Sequence, residues 1–204
     1  MYGSIPQDGF VIKVPNPPKT ARVRLPNSQE ILDRLAQQKS IRRTLGRRKS
    51  QTDTVPNPNA DLALFNQIRL DKEGPEFDEF EAGNAISKLT FATVTECERA
   101  GDEYRITVET PFGNTVHTMS IPTQRAITVY RRTVLSATDL PHGQEELRYR
   151  IEPAVDLYDL AVSKFEGYID SYTKAEIPPN HKSAVVIELV NAIDDLDPAF
   201  DPNS

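Results

Sequence analysis

Asp102-Glu103-Tyr104-Arg105-Ile106-Thr107-Val108-Glu109-Thr110, then Pro111-Phe112-Gly113-Asn114, then Thr115-Val116-His117-Thr118-Met119-Ser120-Ile121 is the stretch whose reading decides the fold. Both flanks alternate apolar and polar residues, the period of a half-buried strand. The Gly113-Asn114 pair between them suits a type II′ hairpin turn, because glycine adopts positive φ at the first central position. That turn sets Thr110 opposite His117, Val108 opposite Met119 and Ile106 opposite Ile121. One face of the hairpin is then apolar and needs a cover. Pro122-Thr123 opens a helical pattern running to about Ala137, the nearest candidate for that cover.

Working outward, Thr93 to Arg99 is rich in residues that favour extended chain, and Ala100-Gly101-Asp102 turns it into the hairpin. Three consecutive strands over about 93–121 make an antiparallel meander, and helical patterns lie on both sides of it. The expected class is α+β. Upstream, Leu62, Phe65 and Ile68 mark a helix over about 60–70. A second helix follows, with Phe77, Phe80 or Ala82, Ala85, Ile86 and Leu89 on its apolar face. Glu76, Asp78, Glu79 and Glu81 crowd the start of that helix, where carboxylates complement the positive end of its dipole. Downstream, Leu147 to Ile151 alternates weakly as a fourth strand. Ala154, Leu157, Tyr158, Ala161, Val162 and Phe165 give a wide helical face that Gly167 ends. A final helix spans about 181–193 and is apolar around much of its circumference.

The chain has 204 residues, enough for one domain with extensions or for two small ones. Sixteen prolines against nine glycines favour extended segments and sharp boundaries. Residues 1–27 read as an extended arm or loose hairpin. Residues 28–50 read as an amphipathic helix with a basic end and 51–59 as a linker. Residues 60–193 read as the α+β domain and 194–204 as an acidic mobile tail. Within the first segment, Phe10 to Val14 and Ala21 to Leu25 alternate like short strands. They fit an edge hairpin on the domain itself, or an arm that adds a strand to a partner.

The net charge is −6, a poor basis for non-specific nucleic-acid binding unless a local patch overrules it. Such a patch exists: Lys39, Arg42, Arg43, Arg47, Arg48 and Lys49 fall within eleven residues. It suits a solvated helix end or an acidic protein partner. Nucleic acid is the lesser alternative, because no aromatic residue interleaves the charges. In the acidic tail, Leu196 and Phe200 are candidate partner anchors. The single cysteine, Cys97, excludes an internal disulfide, and Glu96 and Glu98 beside it discourage the thiolate. His117, His142 and His181 lack ligand-like spacing, and His117 reads as a satisfied structural histidine on the packed face. No phosphate-binding glycine loop, GxSxG elbow or HExxH helix occurs. The residues therefore point to no catalytic group, cofactor or metal, and to a non-enzymatic protein. No apolar run reaches the length of a membrane span and the amino terminus lacks a signal-peptide pattern, so the expected location is cytoplasmic.

Several stretches together suggest a family. Leu25-Pro26-Asn27-Ser28-Gln29-Glu30 leads through Gln38-Lys39-Ser40-Ile41-Arg42-Arg43 to Leu45-Gly46-Arg47-Arg48-Lys49-Ser50. Later come Val116-His117-Thr118-Met119-Ser120-Ile121-Pro122-Thr123-Gln124-Arg125 and Tyr130-Arg131-Arg132. This set resembles proteins encoded in tailed-phage and prophage structural modules. The strand, the Ile-Pro-Thr helix start and the Tyr-Arg-Arg end are similar to tail-assembly chaperone-type sequences. The resemblance implies a small, acidic, non-enzymatic protein of the bacterial host cytoplasm that holds the tape-measure protein and recruits tail-tube subunits. The extended arm and the meander depart from the mostly helical chaperones. They keep open a virion neck, tail or head-associated subunit.

Overall fold

A computed structural model describes residues 10–14, 18–37, 39–44, 50–55, 57–140, 144–168 and 172–196. The protein is α+β, with helices and antiparallel sheets in two compact units. One unit contains the described parts of Phe91–Arg132 and Ile151–Ser204. The other contains those of Ile5–Thr90 and Thr133–Arg150.

The first unit is built on the meander. Strands β5 (Thr93–Ala100), β6 (Glu103–Thr110) and β7 (Gly113–Ser120) pair in sequence, and β10 (Val162–Glu166) adds to the far edge of β7. Gly101, at φ 65, makes the tight turn between β5 and β6. The next turn differs from the type II′ expectation. Thr110 pairs with Gly113, so Pro111-Phe112 is the turn, with Ile106 opposite His117 and Tyr104 opposite Met119. Pro111 is pre-set for the first central position of a turn. The Thr110 hydroxyl completes the motif, donating to the Gly113 carbonyl at 2.7 Å and accepting from Phe112 N–H at 3.2 Å. Gly113, at φ 116, carries the left-handed backbone just after the turn. The turn centre moves by two residues, so each residue's partner shifts by four relative to the expected register. An even slip leaves every side chain on its expected face. Ile106, Val108, Met119 and His117 are buried as the alternation requires, whereas Ile121 lies beyond the ladder and is 40% exposed.

The cover also differs. It comes from α5 (Glu152–Ala161), packed on β7, and α6 (Pro179–Leu196), packed on β5 and β6. The helix that follows the hairpin, α4 (Gln124–Thr133), buries only Ile127 and Tyr130 and ends before Ala137. α6 buries Val185, Val186, Leu189 and Val190, a wider apolar surface. α5 stops at Ala161, earlier than the apolar face suggests. Val162, Lys164, Phe165 and Glu166 then pair with β7 as a strand, with an irregularity between Val162 and Lys164. Gly167, at φ 89, bends the chain away after that strand.

The second unit is organised by two helices and a hairpin. β1 (Phe10–Val14) pairs with β2 (Lys19–Val23), and both pack on α2 (Pro58–Ile68) and α3 (Glu79–Thr90). Ala21, Val23, Phe65, Ile68, Phe77 and Ile86 are the centre of that core. The segment after α2 extends the hairpin: Arg24 N–H donates to the Ile68 carbonyl, and Leu70 N–H to the Arg22 carbonyl. β1 and β2 are therefore an edge hairpin on the unit itself. α1 (Ser28–Ala36) starts with a capping box in which Asn27 and Glu30 satisfy each other's backbone N–H groups.

The basic segment is not a helix end. The chain leaves α1 at Ala36, and Lys39–Thr44 forms β3. The reason is legible in the spacing. Ala36 is followed by four polar residues, Gln37 to Ser40, before Ile41, more than a helical turn without an apolar side chain. Residues 51–59 are no linker either. Ser50–Val55 forms β4, rich in Thr and Val, and Asn57 caps α2. β8 (Leu135–Leu140) and β9 (Gln144–Tyr149) complete a sheet in the order β4-β3-β9-β8. That sheet draws Thr133–Arg150 into the second unit, so 60–193 is not one domain.

Candidate functional site

The histidines that look unrelated in sequence meet inside the first unit. His117 projects from β7 into the sheet's covered face and is 0% exposed. His181, in the first turn of α6, is 2% exposed. His117 Nδ1 lies 2.7 Å from the Tyr158 hydroxyl on α5, and its Nε2 lies 3.0 Å from the Thr115 hydroxyl. The Tyr168 hydroxyl stands 2.9 Å from His181 Nδ1 and 3.4 Å from His117 Nε2, linking the two rings. A neutral imidazole has one donor and one acceptor, and hydroxyls serve as either. The cluster around His117 is therefore satisfied without charge. Burial pushes the His117 pKa down to about 3, with the neighbouring His181 adding to the effect, and burial lowers His181 to about 4. The Tyr158 hydroxyl is pushed up, chiefly by burial.

Lys182 closes this cluster at one side. It is 3% exposed, lies 2.7 Å from Asp159 and sits over the Tyr158 ring at 5.4 Å. The cluster joins β7, α5, α6 and the segment after β10, and it is sealed from solvent. It acts as a polar clamp in the core, as expected of His117. Tyr158 is legible only as part of the apolar face of its helix, and the meeting of His181, Tyr158 and Tyr168 with His117 has no signal in the sequence, because it depends on two helices docking on one face. Cys97 also differs in detail: burial raises its pKa first and Glu188 of α6 second, not its sequence neighbours. Among the described residues, no three His, Cys, Asp or Glu side chains gather to hold a metal ion. None of the described helices is long and apolar enough to cross a membrane.

The accessible feature lies in the second unit. A groove of about 450 Å³ runs between β1 and α3. Its floor is apolar, from Ile12, Val14 and Ala85, and Phe80 stands at its margin 78% exposed. Lys13 and Lys88 supply its outer charge. The carboxylates at the groove are engaged. Glu81 accepts from Lys19 at 2.7 Å and from Asp78 N–H at 2.9 Å, and Asp78 in return accepts from Glu81 N–H at 2.8 Å. The acidic run is thus a cap at the α3 start, as its position predicts. β1 pairs only with β2 among the described strands, and its Ile12, Lys13 and Val14 line the groove together with Lys19 of β2.

The expected contact residues fare differently. Lys39, Arg42 and Arg43 lie on β3, where Arg42 is opposite Glu145 and Thr52, and Arg43 opposite Gln144 and Gln51. Arg47, Arg48, Lys49 and Phe200 lie outside the described residues, as does His142, and Leu196 is the last residue of α6. No family model, curated protein or solved structure matches this chain.

Proposed function

We propose that this chain is a non-enzymatic interaction protein of a tailed-phage or prophage assembly module. It is of tail-assembly chaperone type and binds tape-measure or tail-tube proteins in the bacterial host cytoplasm. The observation that carries the reading is a contrast. The cluster of titratable side chains in the core is closed, neutral and hydrogen-bonded. By contrast, an open groove with an apolar lining lies beside β1, which pairs only with β2 among the described strands, and Phe80 is exposed at its margin. A catalytic site needs titratable groups within reach of substrate, whereas a strand edge with apolar pockets is a protein-docking device.

A second reading, a virion neck, tail or head subunit, is favoured by the two four-stranded sheets, which depart from mostly helical chaperones. Nucleic-acid binding is the lesser alternative because no aromatic residue interleaves the basic residues of 39–49. The test is the set of flanking genes, followed by co-expression with their products and size-exclusion chromatography. A stable complex with a tape-measure or tube protein that dissolves on its maturation supports the chaperone. Retention in purified particles supports the virion subunit. Flanking genes with no capsid, tube or tape-measure product overturn both. Binding to duplex DNA that falls steeply with salt would restore the nucleic-acid reading.

A further inference from the structure

The strand β1 and one side of α3 face each other across the groove. We propose that the groove between them binds an extended acidic peptide segment of a partner protein by strand addition to β1, with alternate apolar side chains seated on Ile12, Val14 and Phe80. This rests on the reading of the chain as an interaction protein and names the chemistry of its partner.

The geometry supports it at three points. First, consecutive residues Ile12, Lys13 and Val14 all line the groove. In a strand, consecutive side chains point to opposite faces. A groove touched by both sets reaches the edge of β1, whose backbone groups turned away from β2 pair with no other described strand. Second, Phe80, Asn84 and Lys88 recur at four-residue intervals, forming one ridge of α3 along the groove. Eight residues of helix span about 12 Å, which is the length of about four residues of extended chain. The wall and the edge strand, itself five residues long, are therefore matched in length. Third, the charge is one-sided. Lys19 and Glu81 neutralise each other, and Asp78 is held as the helix cap. Lys13 and Lys88 make no ion pair among the described residues and leave the groove margin positive. A strand laid along β1 would set its apolar positions on the floor and its carboxylates near these two ammonium groups. A basic segment would meet them as like charges.

The test uses the full chain and an mRNA-displayed library of random nine-residue peptides. Enrichment of Asp or Glu alternating with Phe, Leu or Ile is expected. An enriched peptide, labelled with fluorescein, should bind with a Kd on the order of micromolar. N-methylation at alternate amides should weaken it about tenfold or more in one register and little in the other, because only one set of amides faces β1. Phe80→Ser should weaken binding about tenfold. Lys13→Glu with Lys88→Glu should reverse the preference towards basic peptides. These three residues are at the surface, and circular dichroism of the variants checks the fold.

The proposal is overturned if the library yields no alternating acidic pattern. It is equally overturned if N-methylation has no period-two effect, or if Phe80→Ser and the lysine reversals leave the affinity unchanged. Displacement of the peptide by duplex DNA would assign the groove to nucleic acid. A concentration-dependent dimer abolished by Phe80→Ser would assign it to a second copy of the chain. Each of these outcomes removes the peptide-groove inference while leaving the flanking-gene and co-expression test of the assembly role standing.

Discussion

Acidification to about pH 5 should destabilise the first unit through two buried rings. His117 and His181 are neutral in the folded state, with pKa values near 3 and near 4, against 6.5 for an unperturbed imidazole. Because both folded values are lowered, the unfolded chain binds more protons once the pH falls below about 6.5, and folding stability falls with it. At pH 5 each unfolded imidazole is almost fully protonated and each folded one is still neutral. The loss relative to pH 8 is then about 2 kcal/mol per ring and about 4 kcal/mol for the pair. That figure depends on the unfolded pKa, since both folded values lie below pH 5. The window between about pH 6.5 and 5 also separates the histidines from the carboxylates. Glu30 and Asp71, whose pKa values are lowered by their partners, lose their contribution only at lower pH. Urea unfolding followed by tyrosine near-ultraviolet circular dichroism should show the midpoint fall by about 1.5–2 M at unchanged slope. Nitrogen NMR of the imidazoles should show both rings neutral at pH 5. His117→Gln and His181→Gln should each remove about half of the pH dependence, whatever they do to stability at pH 8. A flat profile across this window, or imidazoles that titrate near 6.5 in the folded protein, would refute the sealed neutral cluster.

Other expectations follow from single contacts. Tyr158→Phe removes the 2.7 Å partner of His117 Nδ1 and should cost about 1–3 kcal/mol in chemical denaturation, as befits a buried group left unsatisfied. Glu30 accepts from both Arg24 guanidinium nitrogens, from Gln67 and from Asn27 N–H. Glu30→Ala should therefore cost about 1–3 kcal/mol, read as a shift in the thermal midpoint. Two glycines at positive φ make an internal comparison. Gly101→Ala meets open space and should cost about 1 kcal/mol for the backbone alone. Gly167→Ala would put its Cβ 2.6 Å from the Asn114 carbonyl oxygen and should cost clearly more. Equal effects from the two substitutions would contradict the close approach at Gly167.

Local pattern determined a large share of this protein. Alternation in 93–121 specifies the meander. The run from Ala184 to Ile193 specifies a buried helix, and the acidic residues from Glu76 to Glu81 specify a cap, because period, turn residues and dipole all act within a few positions. The hairpin register is the instructive near miss. Gly113-Asn114 and Pro111-Phe112 both offer turn chemistry, and the two registers put the same side chains inward, so the hydrophobic pattern does not separate them. Packing on α5 and α6 is compatible with both in sign, and the turn's own hydrogen bonds accompany the Pro-Phe choice.

Only tertiary structure decided the rest. Lys39–Thr44 is a strand because β4 and β9 flank it, and those partners lie close by on one side and about a hundred residues away on the other. Non-local pairing leaves little trace in a short polar window. The same reason hid the two-unit division, since β8 and β9 return to the sheet of an earlier segment. His117 was legible as a buried residue by its alternation, but its link through Tyr168 to His181 needed helix docking. The groove beside β1 is the last case. Sequence marks a strand at Phe10–Val14 and a helix whose apolar face runs to Leu89, but only the folded chain brings that strand and a helical ridge to opposite sides of one space.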